Sequence, residues 1–258
     1  VGDLSDMGAW WAEPIAFQKA VLWSLLFEVS GLGCASGPLA GRYNPPIGGA
    51  LHFLRPGTIK LPFFRGAPLV GGTKRTWTDV GFFAALVASL LMALVSPTLG
   101  IEQFAPIAVL LPILGVLDTT IFLTARSEHY FMALVCFLFP ADWIAGTKWV
   151  WVAIWIWAAT SKLNRHFPSV IAVMQSTSPM TRLFPSIRKA MFANYPDDLH
   201  PSRLAAALAH FGTVVELTIP IVLILSDGGT VSWVALGVMF AFHFFITSSV
   251  PLGVPIEW

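Results

Sequence analysis

The side chains that could do chemistry here stand inside apolar runs: Glu28, Asp118, Asp142, Lys162, His210, Glu216 and His243. An ionisable group at membrane depth costs a few kcal/mol or more, so it marks either a function or a pairing between helices. Lys162, His210 and His243 form the most suggestive set. The run Trp149 to Ala159 is too short to cross a bilayer alone, so its helix is expected to continue to Phe167, just before Pro168. Lys162 then lies about a turn from one membrane face, at the depth of His210 and His243 in their own runs. On such a helix Arg165 and His166 share the lysine's face, and a cationic neighbour with partial burial favours the neutral amine. A neutral amine is a base. The competing reading is a lysine that snorkels to the membrane edge.

The other groups have milder readings. Glu28 and Asp118 each suit a hydrogen bond to a neighbouring helix, and Asp142 lies near a span end where water reaches it. His210 and His243 could be axial ligands to a haem or pigment, but no CxxCH motif accompanies them. No phosphate loop, GxSxG or HExxH occurs, and no metal site is expected from the visible ligands. Trp149, Trp151, Trp155 and Trp157 read as an aromatic band against lipid or other helices. Cys34 and Cys136 lie in apolar runs and are expected to pack as small apolar side chains.

These residues need apolar helices to hold them. Of 258 residues, 56% are hydrophobic and 11% charged, and the mean hydropathy is +0.73. An ordinary soluble domain is about a quarter charged. So few charges cannot cover a water-exposed surface, whereas lipid can cover it. Runs of about 20 apolar residues fall at Pro14–Ala35, Asp79–Ser96, Glu102–Thr124, Tyr130–Gly146, Lys148–Phe167, Leu204–Leu225 and Val231–Val250. The expected fold is therefore all-α: an integral membrane helical bundle of about seven transmembrane helices, a single transmembrane domain over residues 1–258. The runs do not alternate as barrel strands do. The abrupt ends, Val1 and Val254 to Trp258, are those expected of a piece of a longer chain.

Basic residues orient the spans. Arg42, Arg55, Lys60, Arg65, Lys74 and Arg75 crowd the loop from Gly41 to Thr78. Arg126 follows the third run, and Arg182, Arg188, Lys189 and Arg203 follow the fifth. With seven crossings all three loops face one side, expected to be the cytoplasm. Asp3, Asp6, Glu13, the Pro97–Ile101 turn and Asp227-Gly228-Gly229 face the other, with Lys148 against the trend. The long loops, rich in Asn44-Pro45-Pro46 and Tyr195-Pro196-Asp197-Asp198, read as irregular or surface-lying segments, with Leu61–Phe64 and Phe192–Tyr195 as interfacial anchors. A net charge of +1 without a basic stripe gives no expectation of nucleic acid.

Ala158-Ala159-Thr160-Ser161-Lys162-Leu163-Asn164 resembles the lysine segment in the transmembrane domain of vitamin K-dependent gamma-carboxylases and their bacterial relatives. In that group the lysine is taken to be the base acting on a hydroquinone, and Lys162 matches it. His210-Phe211-Gly212 through Glu216-Leu217 and Pro220 is similar to the group's next helix, and Phe242-His243 with Val250-Pro251 to its histidine helix. The resemblance runs over residues 150–258. The whole chain, including Phe27-Glu28-Val29 and Leu54-Arg55-Pro56-Gly57-Thr58, also resembles a bacterial family of multi-span membrane proteins without an assigned function.

Two function classes follow. One is an enzyme of the cell inner (cytoplasmic) membrane, with Lys162 as base and His243 and His210 orienting or relaying protons. Its cofactor is unnamed, a quinone or another lipid-soluble molecule being the class such a site would take. The other is an accessory subunit of a larger respiratory or photosynthetic assembly, with membrane lipids and other membrane subunits as partners. A transporter comes third, since the matched broken helices it needs are not visible in the sequence.

Overall fold

A computed structural model describes residues 4–32, 49–66, 72–178, 181 and 183–249. Asp3, Cys34, Arg42, Arg182, Asn44-Pro45-Pro46, the Ala35 end of the first expected span and residues 250–258 lie outside the described residues. The chain divides after Thr147 into two compact units, each built separately.

The first unit contains α1 (Met7–Trp10), α2 (Pro14–Val29), α3 (Ala50–Phe53), α4 (Trp77–Val95), α5 (Ile101–Leu117), α6 (Thr119–Thr124) and α7 (Tyr130–Phe137), and α8 (Trp143–Ser161) begins there. Helix α4 shows how sequence becomes a packed element. Thr76 caps it reciprocally with Asp79, satisfying two amides that the first turn would leave bare. Phe83, Leu86, Leu90 and Ala93 recur at three- and four-residue steps and are buried. Phe104, Ile107, Leu111 and Leu114 repeat that spacing on α5, so the two helices present matching stripes to one core. Leu22, Leu25 and Val29 of α2 and Ala133, Leu134 and Phe137 of α7 complete it. Lys19 of α2 donates to the Ser96 carbonyl at 2.7 Å, a cation placed where α4 ends in unpaired acceptors.

The second unit holds the rest of α8, α9 (Phe167–Thr177), α10 (Pro185–Ala190), β1 (Phe192–Asn194), β2 (Asp198–Pro201), α11 (Arg203–Leu225) and α12 (Gly229–Ser249). Strands β1 and β2 form an antiparallel hairpin. Helix α9 packs on α11, and α11 on α12. Gly228 and Gly229, at φ 91° and 74°, make the tight turn between α11 and α12 with backbone that a side chain would strain.

Among the described residues, three helices are long and apolar enough to cross a membrane: Trp77–Val95, Arg203–Leu225 and Gly229–Ile246. They match the second, sixth and seventh expected spans, whereas the remaining runs fold differently. The first is helical only over the 16 residues of α2 among those described. The run Glu102–Thr124 is not one helix, because Asp118 adopts φ −155°, ψ 100° and its side chain caps α6. The run Tyr130–Gly146 stops at Phe137, since Pro140 cannot continue a helix, and Gly146 belongs to α8. Helix α8 ends at Ser161, not at Phe167. Arg165 and His166 therefore do not share a helical face with Lys162, and the long loop after it is structured by α9, α10 and the hairpin.

Candidate functional site

Charge is buried in both units. In the first, Lys60 donates to both Asp79 oxygens at 2.8 and 2.9 Å, with side chains 1% and 3% exposed. Asp79 also accepts from the Thr76 amide at 2.6 Å and its hydroxyl at 2.8 Å, so the cap of α4 is also an ion-pair partner. Arg75 pairs with Asp118, both wholly buried, and donates to the Thr58 hydroxyl at 2.6 Å. The Asp118 carboxylate further accepts the Leu61 amide at 3.1 Å, the Thr120 amide at 3.1 Å and the Thr120 hydroxyl at 2.7 Å.

Backbone from the segment before α4 closes the break between α5 and α6. The Phe63 amide donates to the Val116 carbonyl at 3.0 Å, and the Thr119 amide to the Leu61 carbonyl at 2.8 Å. An interrupted helix can persist at membrane depth only when protein supplies such partners. Asp118 thus bonds a loop arginine and loop backbone, not the neighbouring helix that its sequence position suggested. Lys60 and Arg75, counted in the sequence as free cations marking the cytoplasmic side, are internal partners, while Arg55, Arg65 and Lys74 remain exposed. The Thr76-x-x-Asp79 capping pattern was the one local signal for this cluster.

In the second unit the turn after α8 carries Lys162. Its amide donates to the Ala159 carbonyl at 3.0 Å, and Asn164 ties the turn by donating to the Ser161 carbonyl and accepting from the His166 amide. The Lys162 amine reaches both oxygens of Glu216, whose side chain is 5% exposed against 23% for the lysine. It also stands 5.8 Å from the Phe167 ring centroid. Glu216 lies thirteen residues into α11, roughly 20 Å from its Arg203 end. Glu216 stands six residues beyond His210 on α11.

The two histidines do not hold the lysine: its hydrogen-bond partner is Glu216. His210 is exposed on α11, off the face that buries Ala205, Ala209, Thr213 and Glu216. His243 is half-buried. Its Nδ1 lies 2.8 Å from the Met239 carbonyl, and its ring centroid 4.8 Å from that of Trp155. In the tautomer that donates from Nδ1, Nε2 is the acceptor nitrogen. Glu28 is 1% exposed on the core face of α2, and Asp142 is exposed at the start of α8. Cys136 is half-buried beside Gly146, where its Sγ fills the space a side chain would take, and it engages the Thr147 side chain in a hydrogen bond rather than packing purely as an apolar group.

Among the described residues, two ion pairs set a lysine against a carboxylate carried by a helix long enough to span a membrane: Lys60–Asp79 at the start of α4 and Lys162–Glu216 partway along α11. No curated protein and no solved structure matches the chain. A family described as transmembrane protein of unknown function, DUF3556, matches residues 1–258. The match covers the whole length and three of the described helices are long and apolar enough to cross a membrane: the chain is a transmembrane protein and belongs to the DUF3556 family.

Proposed function

We propose that the protein is a membrane enzyme acting on a lipid-soluble substrate of the quinone class, with Lys162 and Glu216 as its acid–base centre. The observation that carries this reading is the Lys162–Glu216 pair partway along α11, its carboxylate buried and its amine part-buried. An ionised pair has no lone pair to offer. Moving one proton from Lys162 to Glu216 leaves the sum of charges at zero and yields a neutral amine, so low dielectric opposes that step less than it opposes freeing a lone charge. The amine then takes the O–H proton of a hydroquinone, giving an ammonium beside the quinol anion and a neutral Glu216 acid. His243, held by Met239 and Trp155, orients the substrate, and exposed His210 passes protons toward water. The resemblance of residues 150–258 to the carboxylase transmembrane domain supports the same assignment. In this reading α2, α5, α7 and α8 bring the crossings of the bacterial inner membrane to about seven, with the Arg203 end of α11 toward the cytoplasm.

The test uses purified protein in lipid nanodiscs, given a short-chain naphthohydroquinone without oxygen. Wild type should show the absorbance of the bound quinol anion. Lys162→Arg should lose it while keeping its helical circular dichroism, because guanidinium cannot accept a proton. A wild type that generates no anion, or an arginine variant that matches it, removes the enzyme reading.

A second reading, an accessory subunit contacting lipid and other membrane chains, draws on α12. Only 6% of Gly229–Ile246 is buried within the chain, and Trp233, Phe240 and Phe244 are exposed along it. A partner retained at fixed stoichiometry through mild-detergent purification, with no quinol chemistry, favours that reading.

A further inference from the structure

We infer that α10 and the β1–β2 hairpin form a shelf that binds the headgroups of an anionic phospholipid leaflet where α11 enters the membrane. Position comes first. Ala172 of α9, Met191 at the end of α10 and Ala205 in the first turn of α11 share one small core, joined by Ile187, Phe192 and Leu208. The Ser202 hydroxyl caps α11 and donates to the Ala190 carbonyl at 2.6 Å, and the Ser202 amide donates to Met191 at 2.9 Å. These bonds fix the shelf to the head of a 23-residue spanning helix. The shelf must therefore sit at the level where headgroups begin.

Surface chemistry comes second. Leu183, Phe184 and Leu199 are 75%, 55% and 60% exposed, which is costly in water and favourable among acyl chains and headgroups. Interleaved with them are the exposed cations Arg188, Lys189 and Arg203. Arg188 lies over the Tyr195 ring at 5.7 Å to the centroid, so its guanidinium is held in place while its N–H edge remains suited to phosphate. The shelf carries two acids, Asp197 and Asp198, and Asp198 is engaged by His200 at 2.6 Å. The opposite end of α11 turns through Ser226 to Gly229 with Asp227 and no basic residue. Positive charge at one end of a span and negative charge at the other match a leaflet rich in anionic lipid on the Arg203 side.

Hydrogen exchange on the intact protein tests this in nanodiscs of phosphatidylcholine alone and of phosphatidylcholine with phosphatidylglycerol. Amides from Phe184 to Leu199 should gain protection with the anionic lipid and lose it at high salt, while those of α11 stay constant. The paired change Arg188→Gln and Lys189→Gln should reduce the docked-to-free ratio roughly 30-fold, the loss of two cations' attraction to an anionic surface. Equal exchange in both lipids overturns the proposal, as does lipid-dependent protection that survives the paired change. Protection produced in phosphatidylcholine discs by inorganic phosphate alone would assign the site to a free anion and overturn it too. None of these outcomes bears on the acid–base reading of Lys162.

Discussion

Replacing Asp118 with Asn changes one atom type at the point where the first unit is closed. Its carboxylate accepts from Arg75 on one side and from Leu61 and Thr120 on the other. Asn keeps one acceptor oxygen, so the bonds to Leu61 and Thr120 survive and the cap of α6 persists. The amide group then meets Arg75 donor against donor, and the guanidinium, 0% exposed, is left without a counter-charge. Removing one partner of a buried pair costs about 3–5 kcal/mol. Arg75→Gln strands the carboxylate instead and should cost a similar amount.

The double variant leaves neither charge, so it should lose about as much as either single one, not the sum. The coupling energy should be about 3 kcal/mol, the upper end for contacting residues. Unfolding in mixed micelles, followed by hydrogen exchange in α4 and α5, measures each term. Additive losses, or single losses below about 1 kcal/mol, would refute the view that the pair holds this segment onto the helix break. Arg75→Lys keeps the charge but not the fork, and should fall between wild type and Arg75→Gln.

Gly31 has φ 77°, and a Cβ there would lie 2.5 Å from the Gly49 Cα. Gly31→Ala should cost roughly 2–4 kcal/mol from backbone strain and overlap with main chain that cannot move aside, read as a lower melting temperature. His129, in the turn before α7, is held below the usual imidazole range by burial, with Glu128 opposing and Arg126 reinforcing. The unfolded chain therefore binds the proton more readily. Stability is complete above the unfolded value and falls as pH drops through about 6.5. Melting curves at pH 7.5 and 5.5 should differ in wild type and differ less in His129→Gln; an unchanged difference would assign the effect elsewhere.

Composition and hydropathy alone determined that this chain is helical and lives in lipid, because both depend on sums over a local window. The spans at α4, α11 and α12 were legible for that reason, and their caps at Thr76 and Ser202 are local as well. The ionisable residues Asp118, Lys162 and Glu216 were legible as out of place. Tertiary structure decided their partners. Arg75 meets Asp118 across 43 residues and Lys162 meets Glu216 across 54, and no periodicity encodes such distances. It also decided that Asp118 breaks a run which hydropathy reads as continuous, and that the chain turns after Ser161. A window average cannot see one carboxylate trading helical bonds for an arginine and two amides brought to it by a distant segment. Burial of charge is affordable only where both partners arrive together, and that meeting exists only once the chain has folded.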